Sequence, residues 1–345
     1  MKYTTLPNTD IKVSKICLGT MTFGQQNTES EGHAQMDYAL EKGVNFFDTA
    51  EMYSIPSKKE TYGSTERIIG SWLKKTGKRE EVVLASKIAG PNASFGYMRE
   101  KLDFSPASIQ YALDNSLQRL QTDYLDLYQL HWPERKTNCF GQRGYKVQDD
   151  AWEDNFHEVL EALDGFVKAG KIKHIGVSNE NPWGMMRFLE ESKHHNLPRI
   201  KTIQNPYSLL NRLFENASAE ICHRENVGLL AYSPLAFGVL SGKYLSGENH
   251  PTSRLSLFPQ YSRYSSVKTT EATKMYQNVA HKHGLTLTQL AQAFVLQQPF
   301  VTSSIIGATT LEQLKENVDT IQVTLTEDIL KEINAIQAII PDPAP

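Results

Sequence analysis

Four ionisable residues of different types stand at or just behind short apolar runs in the first part of the chain. Asp48 closes the run Val44–Asp48, and Tyr53 follows five residues on, in Thr49-Ala50-Glu51-Met52-Tyr53. Lys87 closes Val82–Lys87, and His131 closes Tyr124–His131. A carboxylate, a phenol, an ammonium and an imidazole in one place are the parts of a proton-transfer site. A phenol titrates near ~10 in water, too high for an efficient acid at neutrality, and a close cation lowers that value by up to ~1–3 units. Lys87 is the cation this chemistry needs, and Asp48 would hold it charged and oriented. His131 would hydrogen-bond a substrate carbonyl or carry the proton onward, and Tyr53 is the general acid. Singly, each residue has an ordinary structural reading: a helix cap, a surface aromatic, a snorkelling lysine, a rim histidine beside Trp132. Four such groups on three successive runs argue for chemistry.

The elements that must position them follow a regular pattern. Eight short runs recur: Ile16–Gly19, Val44–Asp48, Val82–Lys87, Tyr124–His131, Ile172–Ser178, Thr202–Asn205, Val227–Ser233 and Ser303–Gly307. They are bounded by turn residues and mostly lack polar alternation, as expected of parallel strands buried on both faces. Helix signals lie between them. Ser105-Pro106 is an N-cap followed by Pro at the first helical position, ahead of Ile109, Ala112, Leu113, Leu117 and Leu120 at helical period. Thr286 with Gln289 reads as a capping box, and Thr326 opens a last helix. Eight strand–helix units predict an α/β fold, a (β/α)8 barrel of the TIM type.

The 345 residues exceed the ~250 typical of such a barrel, and the excess falls in three long connections after the third, fourth and seventh runs. These are Ile88–Phe104, Trp132–Phe156 and Ala236–Thr269, all on the face where barrel enzymes carry their sites. Lys2–Lys15, turning at Pro7-Asn8-Thr9-Asp10, reads as a β-hairpin capping the opposite end. No repeat or linker divides residues 1–345, so one domain is expected, with a doubly wound two-domain chain as the alternative.

Composition narrows the function classes. Lys+Arg 36 against Asp+Glu 39 gives a net charge of −3, without the basic footprint of a nucleic-acid binder. Cys17, Cys139 and Cys222 offer neither a disulfide framework nor a CxxC pair. No signal peptide or membrane span is evident, and a cytoplasmic protein is expected. No rim run carries an HxH pair, which disfavours a metal-dependent hydrolase. His281 and His283 point to different helix faces, and His194-His195 near a helix end reads as solvated. No metal site is expected.

The second half reads as a cofactor cradle. Gly307-Ala308-Thr309-Thr310 opens a helix running to Asn317, a Gly-containing loop and helix N-terminus suited to an anion. Lys243 and Arg254, in the long segment after the seventh run, would add cationic contacts to the same phosphates. Tyr232 would stack on a planar ring, and Asn179 and Gln204 would pair with a carboxamide. Capping and loop solvation are the plain alternative. No GxGxxG follows a strand, so a Rossmann site is not indicated.

Gly43 through Tyr53 is similar to the G-x-x-x-x-D-T-A-x-x-Y motif of the aldo-keto reductase superfamily. Leu120 through His131 resembles that family's strand-four motif, and Gly170 through Asn179 its strand-five signature. Tyr232-Ser233-Pro234-Leu235 and Gly238 through Lys243 resemble its pyrophosphate belt. The resemblance covers essentially the whole chain and leans toward the potassium-channel β-subunit branch. It implies a barrel that binds an extended nicotinamide cofactor, with a catalytic tetrad at Asp48, Tyr53, Lys87 and His131. It further implies nicotinamide contacts at Gly19, Thr20, Met21, Ser178, Asn179 and Gln204, with Tyr232 stacking, and a belt from Ser233 through Ala236. The adenosine phosphate end would fall on Gly307, Thr309, Gln313, Glu316 and Asn317. Gly307 and Gln313 stand where many relatives carry Lys and Arg. The β-subunit branch binds NADP with a similar pattern, so NADP(H) is the expected cofactor.

The sequence thus predicts an NADP(H)-dependent carbonyl reductase whose partner is a small-molecule carbonyl, with Tyr53, His131 and Trp132 at the substrate. The alternative is a nicotinamide-binding regulatory module with little turnover, against which His131 argues, since the β-subunit branch lacks it. Trp152 and Glu134-Arg135-Lys136 receive no role.

Overall fold

Apolar runs without polar alternation need cover on both faces, and the chain supplies it by rolling its strands into a cylinder. The computed structural model describes residues 1–148, 151–245, 247 and 250–345. An antiparallel hairpin of β1 (Tyr3–Thr5) and β2 (Lys12–Ser14) comes first, in the register Tyr3↔Ser14. Eight parallel strands follow: β3 (Ile16–Gly19), β4 (Phe46–Asp48), β5 (Val83–Ile88), β6 (Leu125–Leu130), β7 (Ile172–Ser178), β8 (Ile200–Pro206), β9 (Gly228–Tyr232) and β10 (Val301–Ile306). They pair in sequence order, and β10 returns to β3 through Ser304↔Ile16, closing the barrel. The fold is the (β/α)8 barrel expected, hairpin included.

The wall is built from α1 (Glu29–Glu41), α2 (Ser64–Thr76), α3 (Pro106–Leu120), α4 (Phe156–Lys168), α5 (Pro182–His195), α6 (Ser218–Glu225), α7 (Arg254–Leu257), α8 (Val267–Lys282), α9 (Leu287–Leu296), α10 (Leu311–Asp319) and α11 (Glu327–Ile339). Caps expected from the sequence are formed. Ser105 accepts from the amide of Ser108, and Thr286 and Gln289 close a reciprocal capping box. Among the described residues, no helix is long and apolar enough to cross a membrane.

Strand alternation sorts the side chains into two cores. Phe47, Leu84 and Tyr128 join the layer between barrel and helices. Their neighbours in sequence, Phe46, Val83, Ala85 and Leu127, form a second cluster with Cys17, Leu230, Ile305 and Val13 of the hairpin. This second set fills the barrel interior. The same period of two carries that inward face up to Asp48, Lys87, Gln129 and His131. The chemistry is therefore placed directly above an apolar plug.

The wall tolerates little extra volume where α2 crosses α3. A Cβ on Gly70 would lie 2.2 Å from the backbone oxygen of Arg119, which cannot swing aside. Gly70→Ala is expected to lower the free energy of unfolding by about 1–3 kcal/mol through overpacking. A urea midpoint unchanged from wild type would show that the two helices can part at no cost.

Candidate active site

The expected tetrad is assembled at the carboxyl ends of β4, β5 and β6. Lys87 is fully buried, and its Nζ donates to Asp48 Oδ2 at 2.6 Å and to the Thr49 carbonyl at 2.8 Å. The same nitrogen lies 3.5 Å from the Tyr53 hydroxyl. The edge of the His131 ring meets the Tyr53 ring, 5.7 Å between centroids. Register makes this possible: Asp48 sits opposite Ala85 and Lys87 opposite Gln129, so the groups form one tier.

The electrostatics correct one expectation. Burial pushes the Tyr53 phenol above its ordinary value of 10.0, and the opposing pull of Lys87 does not reverse it. The cation was expected to bring the phenol down toward neutrality. Burial and the neighbouring Asp48 charge outweigh it, so Tyr53 keeps its proton firmly. Burial also works against the Lys87 charge, but Asp48 and Tyr53 together raise its pKa nonetheless. His131 goes the other way, held well below 6.5 by burial and by Lys87, and is neutral. Its Nδ1 is buried and has no hydrogen-bond partner among the described residues.

Two amides complete the hold on Asp48. Gln204 Nε2 donates to Asp48 Oδ1 at 2.9 Å, and Gln129 Nε2 donates to the same oxygen at 3.3 Å. Gln204, expected at a cofactor carboxamide, is thus also an anchor for the carboxylate that fixes Lys87. Gln129 was not foreseen, although its position two residues before His131 on β6 was the available signal. The second omission is Glu51. It is wholly buried, and its Oε1 accepts from the Ala89 amide and from Arg99 Nη1, each at 2.7 Å. This pair tethers the turn carrying Tyr53 to the segment after β5. Arg99 lies too far along the chain for spacing to reveal it.

The remaining rim residues lie around this centre. Asn179 is positioned from both ends of its amide, which leaves the second lone pair of Oδ1 for a ligand: Nδ2 donates to the His131 carbonyl at 2.9 Å, and Oδ1 accepts from the Tyr232 hydroxyl at 2.6 Å. Ser178 Oγ donates to the Gln204 carbonyl, and Thr20 Oγ1 to the Asp48 carbonyl. Gly19 pairs with Asp48 across β3 and β4, and a Cβ there would strike Ile305 at 2.7 Å. Trp132 packs on His131 at 5.0 Å between rings and donates from Nε1 to the Pro91 carbonyl. Phe95 and Phe140 extend this aromatic wall. Trp152, by contrast, packs on Phe156 and Trp183 at the α4–α5 contact.

The stretch after β9 is unusually strained. Ser233, Ala236 and Phe237 have φ of 54, 49 and 56, with Gly238 at 87. Left-handed backbone at non-glycine residues is costly and concentrates at ligand clamps. Pro234 and Leu235 lie within the same turn. Arg254, at the start of α7, contacts Met21 Sδ at 3.8 Å and sits over the Phe237 ring at 5.0 Å. No carboxylate pairs with it among the described residues. Burial lowers the pKa of Arg254 and of Lys243, and Arg254 lowers that of Lys243 further. Two desolvated cations beside a strained turn suit an anionic ligand.

At the far end, Thr310 caps α10, and Gln313 Oε1 accepts from the amide and hydroxyl of Thr309. Among the described residues, only the Gly19 oxygen comes near a would-be Cβ on Gly307, at 3.9 Å, so the backbone there is open. Glu316 accepts from Thr286 Oγ1, and Asn317 is buried against Gln292. Gly307, Thr309, Gln313, Glu316 and Asn317 lie at the carboxyl end of β10 and along α10. Elsewhere, His194 and His195 are exposed, as read from the sequence, and His195 Nε2 lies 3.1 Å from Glu191 Oε1.

A closed parallel barrel with a buried Asp–Lys–Tyr chain and a neutral histidine at its mouth defines an oxidoreductase barrel. The sequence match agrees: residues 15–338 fit the model of the Aldo/keto reductase family, and the chain belongs to that family. It is 49% identical to Protein tas of Escherichia coli (strain K12) over the full length of both. It is 34% identical to the uncharacterized oxidoreductase YrpG of Bacillus subtilis (strain 168), across 97% of this chain and 96% of that one. It is 28% identical to norsolorinic acid reductase B of Dothistroma septosporum, across 95% of this chain and 79% of that one.

Proposed function

We propose that this chain is an NADP(H)-dependent reductase of aldehydes or ketones, with Tyr53 as general acid. The observation that carries the reading is the buried chain Asp48–Lys87–Tyr53, which ends at a phenol beside a neutral imidazole. The bound nicotinamide would supply the hydride. Ser178, Asn179, Gln204 and Tyr232 would hold the nicotinamide end, and Lys243 and Arg254 the pyrophosphate. Gly307, Thr309, Gln313, Glu316 and Asn317 would hold the adenosine phosphate end.

Tyr53 gives its proton to the substrate oxygen as charge develops there. Lys87 stabilises the phenolate left behind, and Asp48 keeps Lys87 charged and aimed. Neutral His131 offers one N–H to the carbonyl oxygen, while Trp132 and its aromatic neighbours exclude water. That a norsolorinic acid reductase is among the relatives supports a reductive role. A small carbonyl compound is the proposed partner and the cytoplasm the proposed location, with no role for nucleic acid or membrane.

The test is NADPH oxidation with a panel of aldehydes and ketones, with Tyr53→Phe assayed alongside. Turnover lost in the variant is the expected result. Tight NADPH binding without turnover would instead favour a nucleotide-sensing module. The cofactor reading has its own check in Arg254→Met. Hydrogen bonds to charged groups contribute ~1.5–3 kcal/mol, so the variant should bind NADPH about 10–100-fold more weakly, with a smaller dependence on salt. Fluorescence titration reads this directly, and unchanged affinity would remove Arg254 from the cradle.

A further inference from the structure

We infer that His157, Glu191 and His195 form a binding site for a divalent transition ion of the zinc class, on the outer wall of the barrel. Glu191 and His195 are four residues apart on α5, which places them on one face. His157, in the first turn of α4, meets them across the helix pair. His157 Nδ1 lies 3.0 Å from Glu191 Oε1, and His195 Nε2 lies 3.1 Å from the same oxygen. The two imidazoles are 4.4 Å apart between centroids at 73°, so their nitrogens converge and the rings do not stack. All three donor atoms lie within 4.8 Å of one another.

These spacings are close to those of a metal site. With bonds of ~2.0–2.1 Å, neighbouring donors of a tetrahedral zinc ion stand about 3.3 Å apart. The two histidine–glutamate pairs need to open by only a few tenths of an ångström, the two imidazole nitrogens stand within 4.8 Å of each other, and water would be the fourth ligand. The donor set also selects the ion: two imidazoles and one carboxylate suit zinc, cobalt or nickel far better than calcium or magnesium.

The outer contacts point the same way. The far nitrogen of His157, Nε2, lies 3.5 Å from Glu161 Oε1. A carboxylate on the distal nitrogen fixes the tautomer of a ligating histidine and raises its basicity. The outer oxygen of Glu191 lies 3.5 Å from Arg187, which also pairs with Asp154 at 3.0 Å. Arg187 therefore leaves the inner oxygen to the ion and orients the carboxylate. Glu191 is mostly buried, at 13% side-chain exposure, while both histidines remain reachable from solvent at 43% and 50%. An ion here would join the start of α4, where the long segment after β6 re-enters the wall, to the last turn of α5.

The experiment uses the full chain without a histidine tag, stripped with chelator and titrated with Zn2+ by calorimetry. One equivalent is expected, together with a rise in Tm on adding Zn2+. Co2+ in its place should give the intense visible bands of a four-coordinate ion. H157A/H195A should keep its far-UV circular dichroism and lose the equivalent, the bands and the Tm shift. Glu161→Gln should weaken binding about 10–100-fold. His194→Ala, on the neighbouring exposed histidine, should bind as wild type does. Absence of a saturable equivalent, or an equivalent that survives in H157A/H195A, overturns the site.

Discussion

Tyr53→Phe is expected to lower kcat/KM for carbonyl reduction by about 10²–10⁴-fold, the range for removal of a general acid. The fold should hardly notice. The hydroxyl contributes one long contact at 3.5 Å to Lys87, and that ammonium keeps its bonds to Asp48 and the Thr49 carbonyl. KM for NADPH should stay close to wild type, because the lost interaction develops in the transition state. The pH profile carries an independent signature. Burial raises the phenol above 10.0, so the acid form persists across the neutral range. Reduction should be flat through neutrality and fall only as pH rises through that raised value. His131, neutral far below 6.5, should add no limb near pH 6–7. Wild-type rates in the phenylalanine variant, or a basic limb below the ordinary phenol value, would remove Tyr53 from the chemistry.

Lys87→Met should be the most damaging single change to the molecule. Methionine approximates the lysine stem but leaves the Asp48 carboxylate, 2% exposed, without its counter-ion. Removing one partner of a buried ion pair costs about 3–5 kcal/mol, because a desolvated charge is left uncompensated. Gln204 and Gln129 still donate to Asp48 Oδ1, which keeps the loss within that range. Activity should fall at least ~10²-fold, since the phenolate formed at Tyr53 then meets no cation. D48N/K87M separates the two effects. With both charges gone, stability should recover most of the loss while activity remains low, as replacing a buried pair is often near neutral. Urea unfolding and steady-state rates measure both quantities. A double variant no more stable than K87M would show that the cost lies in packing. The pH dependence follows in sign: the folded pKa of Lys87 is raised, so its contribution is full below 10.5 and is lost as pH climbs through the folded value. The alkaline fall in stability should be smaller in K87M.

Much of this was legible in one dimension. The runs from Ile16–Gly19 to Ser303–Gly307 match the eight barrel strands to within a few residues, because parallel strands buried on both faces must be short, apolar and bounded by turns. The spacing of Asp48 and Tyr53, and the ends of the runs at Lys87 and His131, located the tier of polar groups at the mouth. A period of two then guarantees that Phe46 and Asp48, or Ala85 and Lys87, share the inward face.

What the linear pattern could not reach are quantities set by distance and burial across the fold. The sign of the Tyr53 shift is one. Lys87 alone argues for a lowered phenol, and only the closed barrel shows that desolvation outweighs it. The partners of Asp48 are another, since Gln129 and Gln204 come from strands 81 and 156 residues further on. Glu51 finds Arg99, and His157 finds Glu191 and His195, through contacts no local rule encodes. Side-chain direction is local and periodic, and the sequence alone determined it. The energy of a charge depends on everything within a few ångströms, and only the tertiary structure assembles that surrounding.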